Sequence, residues 1–391
     1  MRCTLMNKNK EVLIAEFNET LKVFTDIYEV KNIEYVPLIV YNNYLSGHEI
    51  TAPLTEWFKG RGIPSWRDDL DLLLSRLGIT TPDELLDKAF GLSLSDQYFI
   101  KQSDSSINYK DINFFENDFE TLEFTNATFS DELIGGANIN LISPNNTTDG
   151  KLKKTWIIEN SKRYLLKGAY KNEVMQPFNE VLASLICQRL GFNHVTYTIG
   201  VINNKIVSKC ECFITSDTEL IPVSQIVANI SEKTNAYEEY IKILEEKDIS
   251  MVREKLENMF ILDYLMLNED RHLNNFGIIR NVNTLKWLDI APIFDNGQSL
   301  NIIDYNDDEV IINGQGRFFY SVMDFDTIIS KVKNIKRFDL AKLDGIVEEF
   351  SNLLRKYQSV TKMTDRRINK LCNLLATRIA RLDKIISDSN N

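Results

Sequence analysis

Six consecutive residues, Asp270-Arg-His-Leu-Asn-Asn275, gather side chains that together can do chemistry. A carboxylate at Asp270 can take a proton, and the amide oxygen of Asn275 can bind a hard cation. A second carboxylate follows where the strand-like segment "LKWLDIAPIFDNG" reaches Asp295. Phosphoryl transfer from a nucleoside triphosphate needs this set: a carboxylate that orients and deprotonates the attacking hydroxyl, and oxygen ligands for Mg²⁺. The spacing Asp-x-x-x-x-Asn, with a later Asp at a strand end, meets both needs. Taken alone, "LNEDRHLNNFG" also reads as the polar end of the helix before it, where Asn and charged groups cap the last carbonyls. His272, one of three histidines in the chain, is expected to stiffen the loop through a hydrogen bond rather than to carry protons.

The same chemistry calls for a cation at the phosphates, and Lys167 ends the segment "RYLLK". A carboxylate should hold that lysine, and Glu180, early in the next helical pattern, is the candidate. Backbone N–H groups of a loop should cover the phosphates. "TTDGKLKKTW" stands just before the Lys167 strand, with Gly150 allowing close backbone approach and Lys151, Lys153 and Lys154 adding positive charge. Singly, each part has an ordinary reading. Lys167 could be a solvated strand end, Glu180 a partner of its helix dipole, and Asp295-Asn-Gly a plain turn. Their order along the chain is what joins them.

The elements that must position these groups are legible from periodicity and punctuation. "PSWRDDLDLLLSRLG" predicts a helix capped by Ser65 and closed by Gly78, and "TTPDELLDKAFGL" one capped by Thr81 with Pro82 at its first position. The acidic stretch carrying Phe114, Phe115, Phe119 and Phe124 reads as a packed surface segment. From 131, loop chemistry gives way to "KTWII", a tight turn and "RYLLK", a strand–turn–strand pattern. "QPFNEVLASLICQRLGF" is a helix closing at Gly191, and "VTYTIGVINNKIVSKCECFI" is two strands around Asn203-Asn204. Beyond about residue 225 helical patterns dominate. Among them "LENMFILDYLM" is apolar nearly all round, as a buried helix should be. The Gly-x-Gly at Gly314 and Gly316 reads as a loop. The expected division is 1–130, a mixed α/β accessory region; 131–222, a small sheet-containing lobe; and 223–391, a helical lobe.

Composition narrows the classes. With 391 residues, 43% hydrophobic and 26% charged, the chain has ample core for an ordinary globular fold. A net charge of −11 disfavours nonspecific nucleic-acid binding. No apolar run has the length of a membrane span, and the start lacks a signal-peptide core. The five cysteines form no C-x-x-C pair, which fits reduced thiols in a cytoplasmic protein and speaks against a structural zinc site.

"DRHLNN" followed by "IFDNG", with "YLLKG" and "PFNEVLAS" upstream, resembles the HipA-like serine/threonine kinases, including the cell-translocating kinase A type. "DRHxxN" also matches the phosphoinositide 3- and 4-kinases, to which the HipA fold is related. The resemblance covers about residues 130 to 385. It implies an α+β, two-lobed protein-kinase-like fold using ATP and Mg²⁺, with Asp270 as base and Asn275 with Asp295 on the metal. It further implies that Lys167 contacts the phosphates, that 150–155, including Gly150, Lys151, Lys154 and Thr155, forms the phosphate loop, and that Glu211 to Phe213 is the hinge to adenine. HipA proteins can autophosphorylate a serine of this loop; Thr147 and Thr148 stand at the matching place, and phosphorylation there is expected to switch the enzyme off. The implied partners are a protein substrate with a Ser or Thr hydroxyl and an antitoxin, with no membrane. A lipid kinase, and a toxin–antitoxin or prophage interaction module that binds nucleotide without turnover, are the alternative readings.

Overall fold

A computed structural model describes residues 1–130, 140–148, 150–170, 174–230, 235–300 and 313–389. Part of the loop expected after 131, residues 131–139 and 149, lies outside them. In chain order the described strands are β1 (Arg2–Asn7), β2 (Lys10–Asn18), β3 (Val23–Val30), β4 (Tyr98–Gln102), β5 (Lys154–Glu159), β6 (Lys162–Lys167), β7 (Tyr197–Ile202), β8 (Lys205–Glu211), β9 (Thr218–Pro222), β10 (Gly277–Asn281), β11 (Trp287–Ile290), β12 (Gln315–Phe318) and β13 (Ser321–Asp324). The chain folds as two compact units: Met1–Lys167 with Glu211–Asn229 and Ile279–Leu288, and Gly168–Cys210 with Ile230–Ile278 and Asp289–Asn391.

The first unit opens with an antiparallel sheet in the order β3-β2-β1-β4. Alternation places Cys3, Leu5, Leu13, Ala15 and Phe17 in one core. Phe17, Phe24 and Phe58 meet there with ring centroids 5.0–5.8 Å apart. The Phe-rich stretch is packed as its sequence indicated: Phe114, Phe119 and Phe124 are buried and Phe115 is partly so. Pro82–Lys88 is a helix with Thr81 at its N-cap position, where the Thr81 side chain makes no cap hydrogen bond. Ser65 is not a cap. The helix starts five residues later, at Leu70–Leu77, with Asp69 at the N-cap in a left-handed conformation (φ 54°). Residues 64–69 form a turn instead, because their polar groups are committed elsewhere in the unit, as described below.

β5 and β6 make a tight hairpin. Asn160 and Ser161 both have positive φ (51° and 62°), the geometry that matches strand twist across a two-residue turn. The register sets Lys154 directly opposite Lys167, so both side chains leave one face at one end of the hairpin.

In the second unit the helix Met175–Leu190 ends on Gly191, whose φ of 77° only glycine adopts without strain. β7 and β8 pair antiparallel around Asn203-Asn204. At the centre is the helix Val252–Met266, buried from Met259 through Met266. Arg378, itself buried, donates two hydrogen bonds to the Tyr264 carbonyl (3.0 and 2.8 Å), one of the acceptors that a helix end leaves without an internal partner. The "NGQGRFF" stretch is a loop only in part: Gln315–Phe318 form β12 of the β12–β13 hairpin and Phe319 turns out of it with positive φ (53°), while Phe318 and Phe319 sink among Tyr237, Tyr240, Phe260 and Phe276. Glycine is required at 316, where a Cβ would lie 2.7 Å from the Phe325 ring. No described helix is long and apolar enough to cross a membrane.

Candidate active site

In the second unit the polar loop begins where the core helix stops. Leu267 takes a left-handed conformation (φ 51°), rare for a branched apolar residue, and turns the chain out of the helix. Asn268 then bonds back to Asp263 through both its N–H (3.0 Å) and its side-chain amide (2.9 Å), and accepts the Asp270 N–H (3.1 Å). Asp295, in the second loop, is also left-handed (φ 56°), with Tyr197 Oη accepting its N–H at 3.4 Å. Strain of this kind persists only where surrounding contacts over-determine it.

Those contacts converge on Arg271, which is 2% exposed. Its guanidinium uses all five donors. Nε and Nη2 form a fork on the Asp263 carboxylate (3.0 and 2.8 Å), and Nη2 also reaches Asn296 Oδ1. Nη1 donates to the carbonyls of Asn275 (3.0 Å) and Phe294 (2.7 Å). One buried cation therefore fixes the backbone at Asn275 and the backbone beside Asp295, bringing the Asp270–Asn275 loop and the Asp295 loop into one frame. The helix Met175–Leu190 fixes the second loop from its other side. Glu180, 1% exposed, accepts the Asn296 N–H (2.8 Å), and Asn179 donates to the carbonyls of Gly297 (2.9 Å) and Ser299 (2.7 Å).

Within this frame Asn275 donates its amide N–H to the Asp270 carbonyl (2.8 Å), so the amide oxygen is the atom left to bind a cation. His272 Nδ1 accepts the Asn274 N–H (3.2 Å), which places the neutral ring's proton on Nε2, 3.8 Å from Asp270 Oδ2. Arg317, on β12, sets Nε 3.4 Å from Asp270 Oδ1. Burial raises the Asp270 carboxyl above the ordinary aspartate range; His272 pulls it down, the charge of Asp295 raises it, and Arg317 and Arg271 pull it down. A partly desolvated carboxylate with a raised pKa is suited to general-base work. Amide and carboxylate oxygens are the hard donors Mg²⁺ prefers, one or two from protein and the rest from phosphate and water.

The first unit holds the other predicted group. Lys167 is 4% exposed at the end of β6, opposite Lys154. Gly150 has φ 94°, so the turn demands glycine. Thr155 is buried and its hydroxyl donates to Asn145 Oδ1 (3.2 Å), while the Lys151 carbonyl accepts the Asp68 N–H (3.0 Å). Thr147 and Thr148 are 8% and 5% exposed, their hydroxyls donating to the carbonyls of Leu92 (2.6 Å) and Asn145 (3.2 Å). Phosphorylation of either one requires the segment to leave this seat. Of the predicted hinge, Glu211 is exposed and pairs with Lys162 (2.9 Å), and Phe213 is half-buried.

The motif reading missed Arg271, Asp263, Asn179 and Asn296. One signal was available: Asp263 is the one acid in "MFILDYLM", and a charge inside an all-round apolar helix needs a buried partner.

No family model matches the chain. The serine/threonine-protein kinase CtkA of Helicobacter pylori strain J99 is 24% identical over 306 residues, 67% of this chain and 90% of that protein. A crystal structure of the Helicobacter pylori proinflammatory kinase CtkA aligns with a TM-score of 0.47 at 21% identity, over 61% of this chain and 95% of that one. A chain of the Shewanella oneidensis MR-1 toxin–antitoxin complex of HipA, HipB and operator DNA aligns with a TM-score of 0.53 at 13% identity, over 98% of this chain and 97% of that one. The fold is α+β and HipA-like. Its likeness to that complex extends across the first third, where no motif resembled the family.

Proposed function

We propose that this chain, which resembles the HipA-like serine/threonine kinases in motif and in fold, transfers the γ-phosphoryl group of ATP to a serine or threonine hydroxyl of a protein. The observation that supports this reading is the Arg271 hub, which ties the backbone at Asn275, in the loop that carries Asp270, to the backbone beside Asp295. Asp270 orients the acceptor hydroxyl and takes its proton. His272, with Nδ1 engaged by the loop backbone, keeps the loop in shape. Asn275 and Asp295 would hold Mg²⁺, whose chemistry is to neutralise charge on the transferring phosphoryl group. Glu180 steadies the Asp295 loop through the Asn296 N–H. Lys167 and Lys154 contact the nucleotide phosphates, the 150–155 loop covers them, and Glu211 to Phe213 meets the adenine. The two-lobed arrangement, with 1–130 as an accessory region ahead of lobes at 131–222 and 223–391, belongs to the same proposal, as does an antitoxin-type partner.

Phosphoproteomics of a host expressing the wild type beside Asp270→Asn tests this reading. New phosphoserine or phosphothreonine sites confined to the wild type support it. Phosphorylated lipid without phosphorylated protein points to the lipid-kinase reading, and tight ATP binding without turnover to the interaction module.

A further inference from the structure

Nothing in the chemistry above involves the first third of the chain, yet three of its residues grip the loop assigned to the phosphates. Arg67 is 5% exposed and makes three hydrogen bonds, one to that loop and two to Thr148 ahead of it. Nε donates to the Gly150 carbonyl (3.1 Å), Nη1 to Thr148 Oγ1 (2.7 Å) and Nη2 to the Thr148 carbonyl. The next residue, Asp68, donates its N–H to the Lys151 carbonyl (3.0 Å). The one after, Asp69, pairs with Lys153 Nζ at 2.6 Å. These residues hold the loop on both sides of the left-handed Gly150 through backbone and side chain alike.

The geometry of the grip is specific. Asp69 sits at the N-cap of the helix Leu70–Leu77, where an aspartate ordinarily caps the helix with its own carboxylate. Here it makes no cap hydrogen bond, adopts φ 54° and gives its charge to Lys153 instead. A favourable local interaction is given up for a contact with the loop. The left-handed Gly150 turn connects to β5, and its carbonyls at 148, 150 and 151 find partners in residues 67 and 68. Backbone groups of a buried or half-buried loop require such partners.

We propose that residues 67–69 are a latch that, through Thr148, Gly150, Lys151 and Lys153, holds the start of the phosphate loop in the conformation that receives a nucleoside triphosphate, with Arg67 as a positioning residue for ATP. The inference rests on the reading of this loop as the phosphate loop. The latch touches no reacting atom. It removes the ordering cost that a free loop would meet on each binding event, so its loss appears in ATP affinity and leaves the chemical step in place. On this account the N-terminal third tunes nucleotide affinity.

Full-length Arg67→Ala, Arg67→Lys and Asp69→Asn test the latch by steady-state kinetics with ATP varied. Amide exchange across 150–155, with and without saturating Mg·ATP, is measured beside the kinetics. The expected result for Arg67→Ala is a KM for ATP raised on the order of tenfold, with kcat within about threefold of wild type. Its loop amides exchange faster without nucleotide and return to wild-type rates with it. Arg67→Lys, which can keep the bond to Thr148, falls between. Asp69→Asn alters only an exposed carboxylate, so it folds even where removal of Arg67 does not, and it raises the KM for ATP by a smaller factor. Faster loop exchange with the KM for ATP unchanged would make the contact merely structural and overturn the proposal, as would a fall in kcat alone. A wild type that neither binds nor turns over ATP would instead overturn the kinase reading, so the two failures are separate.

Discussion

Replacing Arg271 with alanine should unfold the frame before it touches the chemistry. The guanidinium is buried and its five donors are satisfied by Asp263, Asn296 and two backbone carbonyls. Removing it leaves the Asp263 carboxylate, 5% exposed, without its cation. Breaking a buried pair by removing one partner costs about 3–5 kcal/mol, because the orphaned charge stays desolvated. The two carbonyls add to this, although water entering the vacated space recovers part of their bonding. Against a total stability of roughly 5–15 kcal/mol, that is a large share. For a unit of roughly 200 residues each kcal/mol moves Tm by about 2–4 °C, so a fall of about 6–20 °C is expected. The double variant Arg271→Met with Asp263→Leu removes both charges and should regain most of the stability, since a matched apolar pair has no orphan. It should not regain activity, because nothing then ties the carbonyls of Asn275 and Phe294 together. Thermal unfolding by circular dichroism and phosphotransfer on the same preparations give both answers. A single variant within about 2 °C of wild type, or a double variant with wild-type turnover, would refute the hub.

Other outcomes follow from the same geometry. Asp270→Asn should lower turnover by about 10² to 10⁴-fold with nucleotide affinity little changed, the usual share of a general base; a matching loss of ATP affinity would make Asp270 a metal ligand. Because the folded-state pKa of Asp270 is raised, the native state binds more protons than the unfolded chain between the ordinary aspartate value and that of Asp270. Its ionisation therefore lowers stability as pH rises through that window, and metal-free Asp270→Asn should melt at or above wild type at pH 7, with the difference vanishing below about pH 4. Arg317→Ala removes a charge that favours ionised Asp270; the acid limb of kcat/KM should move to higher pH, while Tm changes little because a half-exposed pair contributes under about 1 kcal/mol.

What could be read from the sequence was local. Asp270, Asn275 and Asp295 stand out as candidates by residue type and spacing, and the hairpin turns at Asn160-Ser161 and Asn203-Asn204 by the few residues that accept positive φ. Gly191 closes its helix for the same reason. What escaped was set by contacts between distant segments. Arg271 reads as one letter inside a motif, yet its partners lie at 263, 275, 294 and 296. Ser65 had the chemistry of a cap, but the turn that follows it is held to a loop some eighty residues on by Arg67 and Asp68, and the helix begins only after Asp69. Gly314 and Gly316 promised a loop by composition; Gly314 stays outside the strands, and at Gly316 the pairing of β12 with β13 and the burial of Phe318 overrode that with a strand. The fold of the first third left no motif, because strand alternation records burial and not ancestry.

Whether the Asp295 loop completes a metal-dependent phosphotransfer site can be measured in a single labelling experiment. Purified wild type and Asp295→Ala are incubated with γ-labelled ATP and a protein acceptor, with Mg²⁺ and with chelator, and labelled phosphoserine and phosphothreonine are counted. Label is expected in the wild type with Mg²⁺ only, and none in Asp295→Ala, whose circular dichroism spectrum and Tm match the wild type. Label at the wild-type rate in Asp295→Ala, or in the chelated wild type, would contradict it.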